Sequence, residues 1–176
     1  ISVRLNPDVD AKTHPYISTG LRENKFGVDA EIARTLYHRA SESDALLPVG
    51  IDCHIGSQLT EIEPFIDSFK HLKNLALDLR SSGIALQHID IGGGLGIRYR
   101  DEEVPSAKAL ITSVRDQLGD LSMELMIEPG RSIVGNAGAL LTRVMVIKEG
   151  ETKHFAVVDA AMNDLLRPCL LYTSPS

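Results

Sequence analysis

Four short aliphatic segments alternate with three amphipathic ones in the first 130 or so residues of this 176-residue chain, and this alternation most constrains its fold. The short segments, at 3–6, 49–55, 88–91 and 125–128, are each followed by glycine or proline, which is typical of strands. Strands joined through helices lie parallel to their neighbours. The order β-α-β-α-β-α-β therefore predicts an α/β fold, either a doubly wound sheet or a (β/α)8 TIM-type barrel.

The three amphipathic segments carry signals for helix ends as well as apolar faces. Glycine follows the second and third of them, at Gly83 and Gly119, where a helix is expected to stop. The predicted capping residues are Asp29, the capping-box pair Thr60 and Glu63, and Ser106. The predicted apolar face of the first helix is Ile32, Ala33, Leu36, Tyr37 and Ala40.

The polarity of the strands distinguishes between the two folds. Both faces of a doubly wound sheet are buried and apolar, whereas here polar residues alternate with the aliphatic ones up to the strand ends. A barrel keeps such polar groups inside, at the carboxyl ends of its strands, where active sites form. We therefore expect a barrel with the following groups at one rim: Arg4, Asn6, His54, Asp90 and Glu128.

The pattern changes after the fourth strand. A short helix is predicted from Ser132, and two β-rich segments at 142–148 and 154–158 predict a hairpin. Because a strand pattern is already under way at residue 1, with no methionine, we expect an internal fragment. The expected domains are the C-terminal half of a barrel at 1–140, the start of a β-rich domain at 141–168, and a non-native tail at 169–176.

Charge and composition favour small-molecule chemistry. The net charge of −6 opposes binding to nucleic acid or anionic membranes, and no apolar run approaches the roughly 20 residues of a membrane span. Cys53 and Cys169 form no CxxC motif, and the six histidines have no recognisable metal-ligand spacing. We expect a cytoplasmic protein without a structural or catalytic metal.

Three motifs at strand ends carry the expected chemistry. Glycines at 92–94 and 96 follow a strand directly, so backbone N–H groups can approach an anion, although a tight turn is the simpler alternative. The spacing fits neither a dinucleotide fingerprint nor a P-loop. Glu128-Pro129-Gly130-Arg131 combines a carboxylate, a glycine and a cation at a helix start, and His54-Ile55-Gly56-Ser57-Gln58 adds an imidazole and a hydroxyl.

These motifs, separated by 36 residues from His54 to Asp90 and 38 from Asp90 to Glu128, resemble those of the fold-type III pyridoxal-phosphate decarboxylases. Segments 14–20, 24–28, 54–58 and 94–97 are similar to the members of that family that act on diaminopimelate. The similarity extends from residue 1 to about Pro168.

The resemblance implies a pyridoxal 5′-phosphate-dependent enzyme that converts meso-2,6-diaminopimelate to L-lysine and CO2 in lysine biosynthesis, working as a homodimer with shared active sites. It implies that His54 stacks on the cofactor ring and that Glu128 faces the pyridine nitrogen. Arg131 and Arg167 are implied as clamps for substrate carboxylates. The implied phosphate-binding residues are Ser57, Gly93, Gly94, Gly130 and Arg131.

The chain also departs from the family pattern. The family's Schiff-base lysine lies upstream of residue 1 and no lysine here replaces it, so we expect no catalytic residue in this stretch and no activity from it alone. Tyr172 falls one position late for the family's tyrosine. An ornithine, arginine or carboxynorspermidine decarboxylase, or a non-catalytic pyridoxal-phosphate-binding barrel, remains an alternative.

Overall fold

The computed structural model describes residues 1–10, residue 20 and residues 25–165. The chain divides into two compact units, Ile1–Gly135 and Asn136–Ser176. The elements of the first unit are β1 (Ser2–Arg4), α1 (Ala30–Ser41), β2 (Gly50–Asp52), α2 (Glu63–Ser81), β3 (His88–Asp90), α3 (Ala107–Leu118), β4 (Glu124–Met126) and α4 (Arg131–Val134). The described part of the second unit contains β5 (Val144–Lys148) and β6 (Phe155–Val158).

The four strands of the first unit form one parallel sheet in the order β1-β2-β3-β4. Strand order that follows chain order is the arrangement of a barrel, whereas a doubly wound sheet reverses its order at a switch point. The predicted α/β class and parallel barrel sheet are confirmed. Four strands do not close a barrel, so the sheet is a segment of one.

The aliphatic side of the sheet packs against the helices and forms the core. Its fully buried members include Ile51 and Ile89 from the strands, Cys53 directly after β2, and Phe69 and Leu72 from α2. The opposite side of the sheet carries the polar residues. This division of the sheet into an apolar helix side and a polar inner side is what strand alternation predicted.

Tyr37 joins α1 to the sheet through its hydroxyl. The hydroxyl donates to the carbonyl of Gly50 at 2.6 Å and accepts from the N–H of Val3 at 3.1 Å. Burial raises the pKa of Tyr37 to about 12, so the phenol keeps the proton that it donates. A buried hydroxyl that both donates and accepts a hydrogen bond fixes the position of α1 against β1 and β2.

Helix ends follow the sequence signals at two of three predicted caps. Asp29 Oδ1 accepts from the N–H of Ile32 at 2.9 Å, and Ser106 Oγ accepts from the N–H of Ala109 at 3.1 Å. The capping-box prediction for α2 was wrong, since Ile62 is the N-cap and makes no side-chain cap bond. Pro64 lies in the first turn of α2 and has no N–H, which leaves one donor fewer for a cap to satisfy.

The predicted apolar face of α1 was too wide. Ala33, Tyr37 and Ala40 are buried, whereas Ile32 is 49% and Leu36 is 37% exposed. The three buried residues follow one another at spacings of four and three, which places them on one narrow stripe facing the sheet and α2. The two larger aliphatic residues lie on the flanks of that stripe.

The second unit contains the predicted hairpin. Strands β5 and β6 pair antiparallel, with a shift of register between Val144 and Val146. Asp159 closes the open end of the pair, since its Oδ1 accepts from the N–H of Arg143 at 2.8 Å. The domain assignments at 1–140, 141–168 and 169–176 remain predictions. None of the described helices combines the length and the apolar character needed to cross a membrane.

Candidate functional site

Charged residues cross the inner side of the sheet at one level. Arg4 of β1 is in register with Asp52 of β2, which is in register with Asp90 of β3. Asp52 Oδ1 accepts from the hydroxyl of Ser2 at 2.6 Å. All three charged residues lie at the carboxyl ends of their strands, so the loops that follow them emerge at the same rim.

The glycine segment after β3 fits tightly between the ends of the two neighbouring strands. A Cβ at Gly93 would lie 2.1 Å from the carbonyl oxygen of Glu128, and one at Gly94 would lie 2.0 Å from that of Gly56. Real Cβ atoms do not approach backbone oxygens so closely, so only glycine fits at these positions. The absence of side chains here brings the ends of β2, β3 and β4 together.

His54 is held in place from both sides. Its Nδ1 accepts from the N–H of Gly93 at 3.2 Å, and its carbonyl accepts from Arg4 Nη2 at 3.2 Å. Burial, with a further contribution from the positive charge of Arg4, lowers the pKa of His54, while Asp90 opposes the shift. The imidazole is therefore neutral at neutral pH and fixed against the glycine segment.

The sequence predicted that several glycine N–H groups converge on one anion. In the structure, two of them bind side chains instead. The N–H of Gly92 donates to Asp90 Oδ1 at 2.8 Å, and that of Gly93 donates to His54. Within the described ranges, the N–H of Gly94 has no acceptor. Of the two predicted phosphate-binding glycines in this segment, Gly93 and Gly94, Gly94 therefore has the available donor, and the roles of both stay predictions.

Glu128 reaches the same rim from β4. Its N–H donates to the carbonyl of Gly92 at 2.9 Å, which joins it to the glycine segment. Partial desolvation, followed by the negative charges of Asp90 and Asp52, raises the pKa of Glu128, while Arg4 lowers it. The structure thus brings His54, the glycines and Glu128, on three successive strands, to one place.

The Arg131 side chain makes two contacts that local sequence patterns did not predict. Its Nη1 donates to the hydroxyl of Tyr99 at 3.2 Å and contacts Gln58 Oε1 at 3.5 Å. Gln58 belongs to the His54-to-Gln58 motif, and that motif was the only sequence signal for its place in the site. No sequence pattern pointed to Tyr99. Arg131 is the first residue of α4 and follows Gly130 directly.

The two remaining predicted site residues are Ser57 and Arg167. Ser57 is half-buried in the loop after β2, directly before Gln58. Arg167 lies outside the described residues, and its contact with a substrate carboxylate stays a prediction.

Residues 1–135 match the family described as "Pyridoxal-dependent decarboxylase, pyridoxal binding domain". The chain belongs to this family. The matched pyridoxal-binding domain contains all four parallel strands and every rim residue described above, and its boundary coincides with the end of the first compact unit. The resemblance read from the sequence motifs is confirmed at the level of the family.

Individual pyridoxal-dependent decarboxylases are also similar to this chain. Diaminopimelate decarboxylase of Pseudomonas aeruginosa is 57% identical over 170 residues, which cover 97% of this chain and 41% of that protein. The Neisseria meningitidis serogroup B enzyme of the same name is 54% identical, with the same coverage. The crystal structure of the Helicobacter pylori enzyme complexed with L-lysine superimposes with a TM-score of 0.86 at 44% identity, covering 93% of this chain and 41% of that one. The chain spans about two fifths of the length of these relatives.

The lowered pKa of His54 predicts a pH dependence of stability in the cofactor-free protein. The unfolded chain binds the proton near the ordinary histidine pKa of 6.5, above the folded-state value. The free energy of unfolding is therefore expected to fall as the pH drops from 6.5 toward the folded-state pKa. Urea denaturation of a complete protein over this range checks the prediction.

Two histidine variants test the cause. His54→Gln should flatten this part of the plot of unfolding free energy against pH, and His38→Gln, on the exposed side of α1, should not. Equal slopes in all three proteins would contradict it.

Proposed function

We propose that the complete protein containing this chain is a pyridoxal 5′-phosphate-dependent carboxy-lyase that converts meso-2,6-diaminopimelate to L-lysine and CO2. The observation that carries the proposal is the 57% identity to a diaminopimelate decarboxylase across 97% of this chain. The contribution of this chain is to bind and orient the cofactor and part of the substrate.

The residues at the rim fit a flat aromatic ring. The His54 imidazole is neutral and its orientation is fixed by Gly93, so its face is available for stacking. Glu128 supplies a carboxylate from the opposite strand end, where it can hold a proton on a ring nitrogen. When bound, pyridoxal phosphate supplies an electron sink for the electron pair left on the substrate carbon as CO2 departs. A carboxylate that keeps the ring nitrogen protonated strengthens that sink.

The phosphate group is assigned to the donors around the glycine segment. The N–H of Gly94 has no acceptor in the described part of the chain, so it is available to a ligand. A Cβ at Gly130 would meet nothing within 4 Å, so that position has room for one. Ser57 and the backbone of Arg131 complete the proposed set of phosphate donors. Gly93 has no side chain and so lets the main chain come close to the phosphate. Each bond from an N–H or O–H group to a phosphate oxygen is worth on the order of 1.5–3 kcal/mol.

We further infer that the complete enzyme is a cytoplasmic homodimer whose active sites combine residues of both subunits. The relatives are named diaminopimelate decarboxylases. In this chain β1 and β4 are both edge strands of the four-stranded sheet, so residues beyond this sheet are needed to enclose the rim. Burial raises the pKa of Cys53 to about 12, which keeps its thiol protonated and unreactive.

Expression of a complete protein that contains this chain tests the proposal. Release of CO2 is measured with meso-diaminopimelate, ornithine, arginine and carboxynorspermidine in turn, and only the first is expected to react. Turnover of ornithine alone would overturn the choice of substrate. Cofactor binding without CO2 release from any of the four would favour a non-catalytic barrel. The 176-residue chain by itself is expected to release no CO2.

A further inference from the structure

Two loops of the rim are joined by an unusual set of hydrogen bonds around Gln58. The N–H of Leu59 donates to the carbonyl of Gly94, and the N–H of Gly96 donates to that of Leu59, both at 2.9 Å. The Gln58 side chain continues this ladder, because its Oε1 accepts from the N–H of Ile97 at 3.2 Å and its Nε2 donates to the carbonyl of Ile97 at 2.6 Å. The loops after β2 and β3 are therefore joined by both main-chain and side-chain hydrogen bonds.

Gln58 makes these bonds from a strained backbone conformation. Its φ of +60° lies in the left-handed region, which a non-glycine residue with a long side chain rarely adopts. Such conformations cost on the order of 1–3 kcal/mol and are found mainly at functional sites. The two bonds to Ile97 use the amide nitrogen and oxygen of Gln58, and the same oxygen also meets Arg131 Nη1 at 3.5 Å, which gives this side chain a second role.

The second contact of Arg131, Tyr99, is also held in place. Glu102 Oε2 accepts from the N–H of Tyr99 at 3.0 Å and from the N–H of Arg100 at 2.7 Å. These backbone donors, that of Arg100 first, lower the pKa of Glu102, so the carboxylate is ionised and remains bound to the turn. Although the side chain of Tyr99 is 59% exposed, its backbone is fixed and its hydroxyl meets Arg131.

Arg131 is thus held by two neutral oxygens rather than by a carboxylate. Among the described residues, no carboxylate lies within ion-pair distance of its guanidinium, and its Nε and Nη2 have no acceptor. A phenol and an amide oxygen orient a guanidinium without cancelling its charge. The remaining N–H donors keep the planar geometry that suits a carboxylate.

We propose that Tyr99 and Gln58 are positioning residues that orient the Arg131 guanidinium, leaving its charge and its free N–H donors for a carboxylate of the substrate. This inference rests on the proposed function, which supplies a substrate with two carboxylates. Neither residue touches the reacting bond, so their effect falls on substrate binding. Tyr99 and Gln58 accordingly set how tightly the dicarboxylic substrate binds.

The test uses the complete enzyme and steady-state kinetics with meso-diaminopimelate. Tyr99→Phe removes one exposed oxygen and is expected to raise KM about 2- to 10-fold, the equivalent of one net hydrogen bond, with kcat within twofold of the wild type. Gln58→Glu, which places a carboxylate beside Arg131, should raise KM more than Tyr99→Phe does. Arg100→Gln changes the next side chain of the same loop and keeps the backbone N–H that binds Glu102, so this control should leave KM unchanged.

A second comparison separates positioning from general disturbance of the loop. In an Arg131→Lys background, Tyr99→Phe should change KM by less than in the wild type, because the group that it orients is altered. An unchanged KM in Tyr99→Phe, or an equal change in both backgrounds, would overturn the inference. A wild-type enzyme that does not turn over meso-diaminopimelate would instead overturn the proposed function, and this inference with it.

Discussion

Alanine in place of Gly94 is expected to destabilise the complete protein by about 2–5 kcal/mol and to weaken its binding of pyridoxal phosphate. Two separate costs add at this position. Its φ of +105° is unfavourable for any residue with a Cβ, and that Cβ would lie 2.0 Å from the carbonyl oxygen of Gly56. Relief of the contact requires the ends of β2 and β3 to move apart. Urea denaturation and titration with the cofactor measure the two losses.

Gly83 provides a matched control for this substitution. Its φ of +86° carries a similar backbone cost, but a Cβ there would meet nothing within 4 Å. Gly83→Ala is therefore expected to cost about 1–2 kcal/mol and to leave cofactor affinity unchanged. Equal losses of stability in the two variants would mean that crowding at Gly94 is not the cause.

Glutamine in place of Glu128 is expected to lower kcat for the proposed decarboxylation on the order of 10²-fold or more. The amide is nearly the same size as the carboxylate but has no negative charge with which to stabilise a proton on the ring nitrogen. The neighbouring acidic groups Asp52 and Asp90 lie at the ends of other strands, so the substitution leaves their positions unchanged. Single-turnover measurement of CO2 release from meso-diaminopimelate, at saturating cofactor, isolates the chemical step.

Glu124→Gln, on the same strand, is the control for this prediction. Glu124 begins β4 and is exposed, whereas Glu128 follows the end of that strand at the rim. The control should keep the wild-type kcat. A Glu128→Gln enzyme with kcat within a few-fold of the wild type would show that the ring nitrogen is not paired with this carboxylate.

Strand alternation was sufficient to predict most of the fold. The period of two in each strand separated the aliphatic side from the polar side, and helical crossovers required parallel neighbours. Those two constraints were enough to predict His54, Asp90 and Glu128 at one rim. Local signals also predicted the helix starts at Asp29 and Ser106, since a cap depends only on residues within one turn.

The failures have physical causes that local patterns do not contain. The capping-box pattern at Thr60 was overridden because Pro64 already suits the first turn of α2. Contacts of Arg131 with Tyr99 and Gln58 join residues 32 and 73 positions apart, and depend on where three loops meet. The periodicity of apolar residues carries no information about contacts between residues so far apart in the chain. The use of the Gly93 N–H by His54 was missed for the same reason.

That last hydrogen bond also determines the tautomer of the imidazole. A ring nitrogen that accepts from a backbone N–H must present a lone pair, so the single proton of neutral His54 belongs on Nε2. The main chain at Gly93, which has no ionisable group, thereby decides which edge of the ring is a donor. Any ligand that meets the far nitrogen of His54 encounters an N–H group there, not an acceptor.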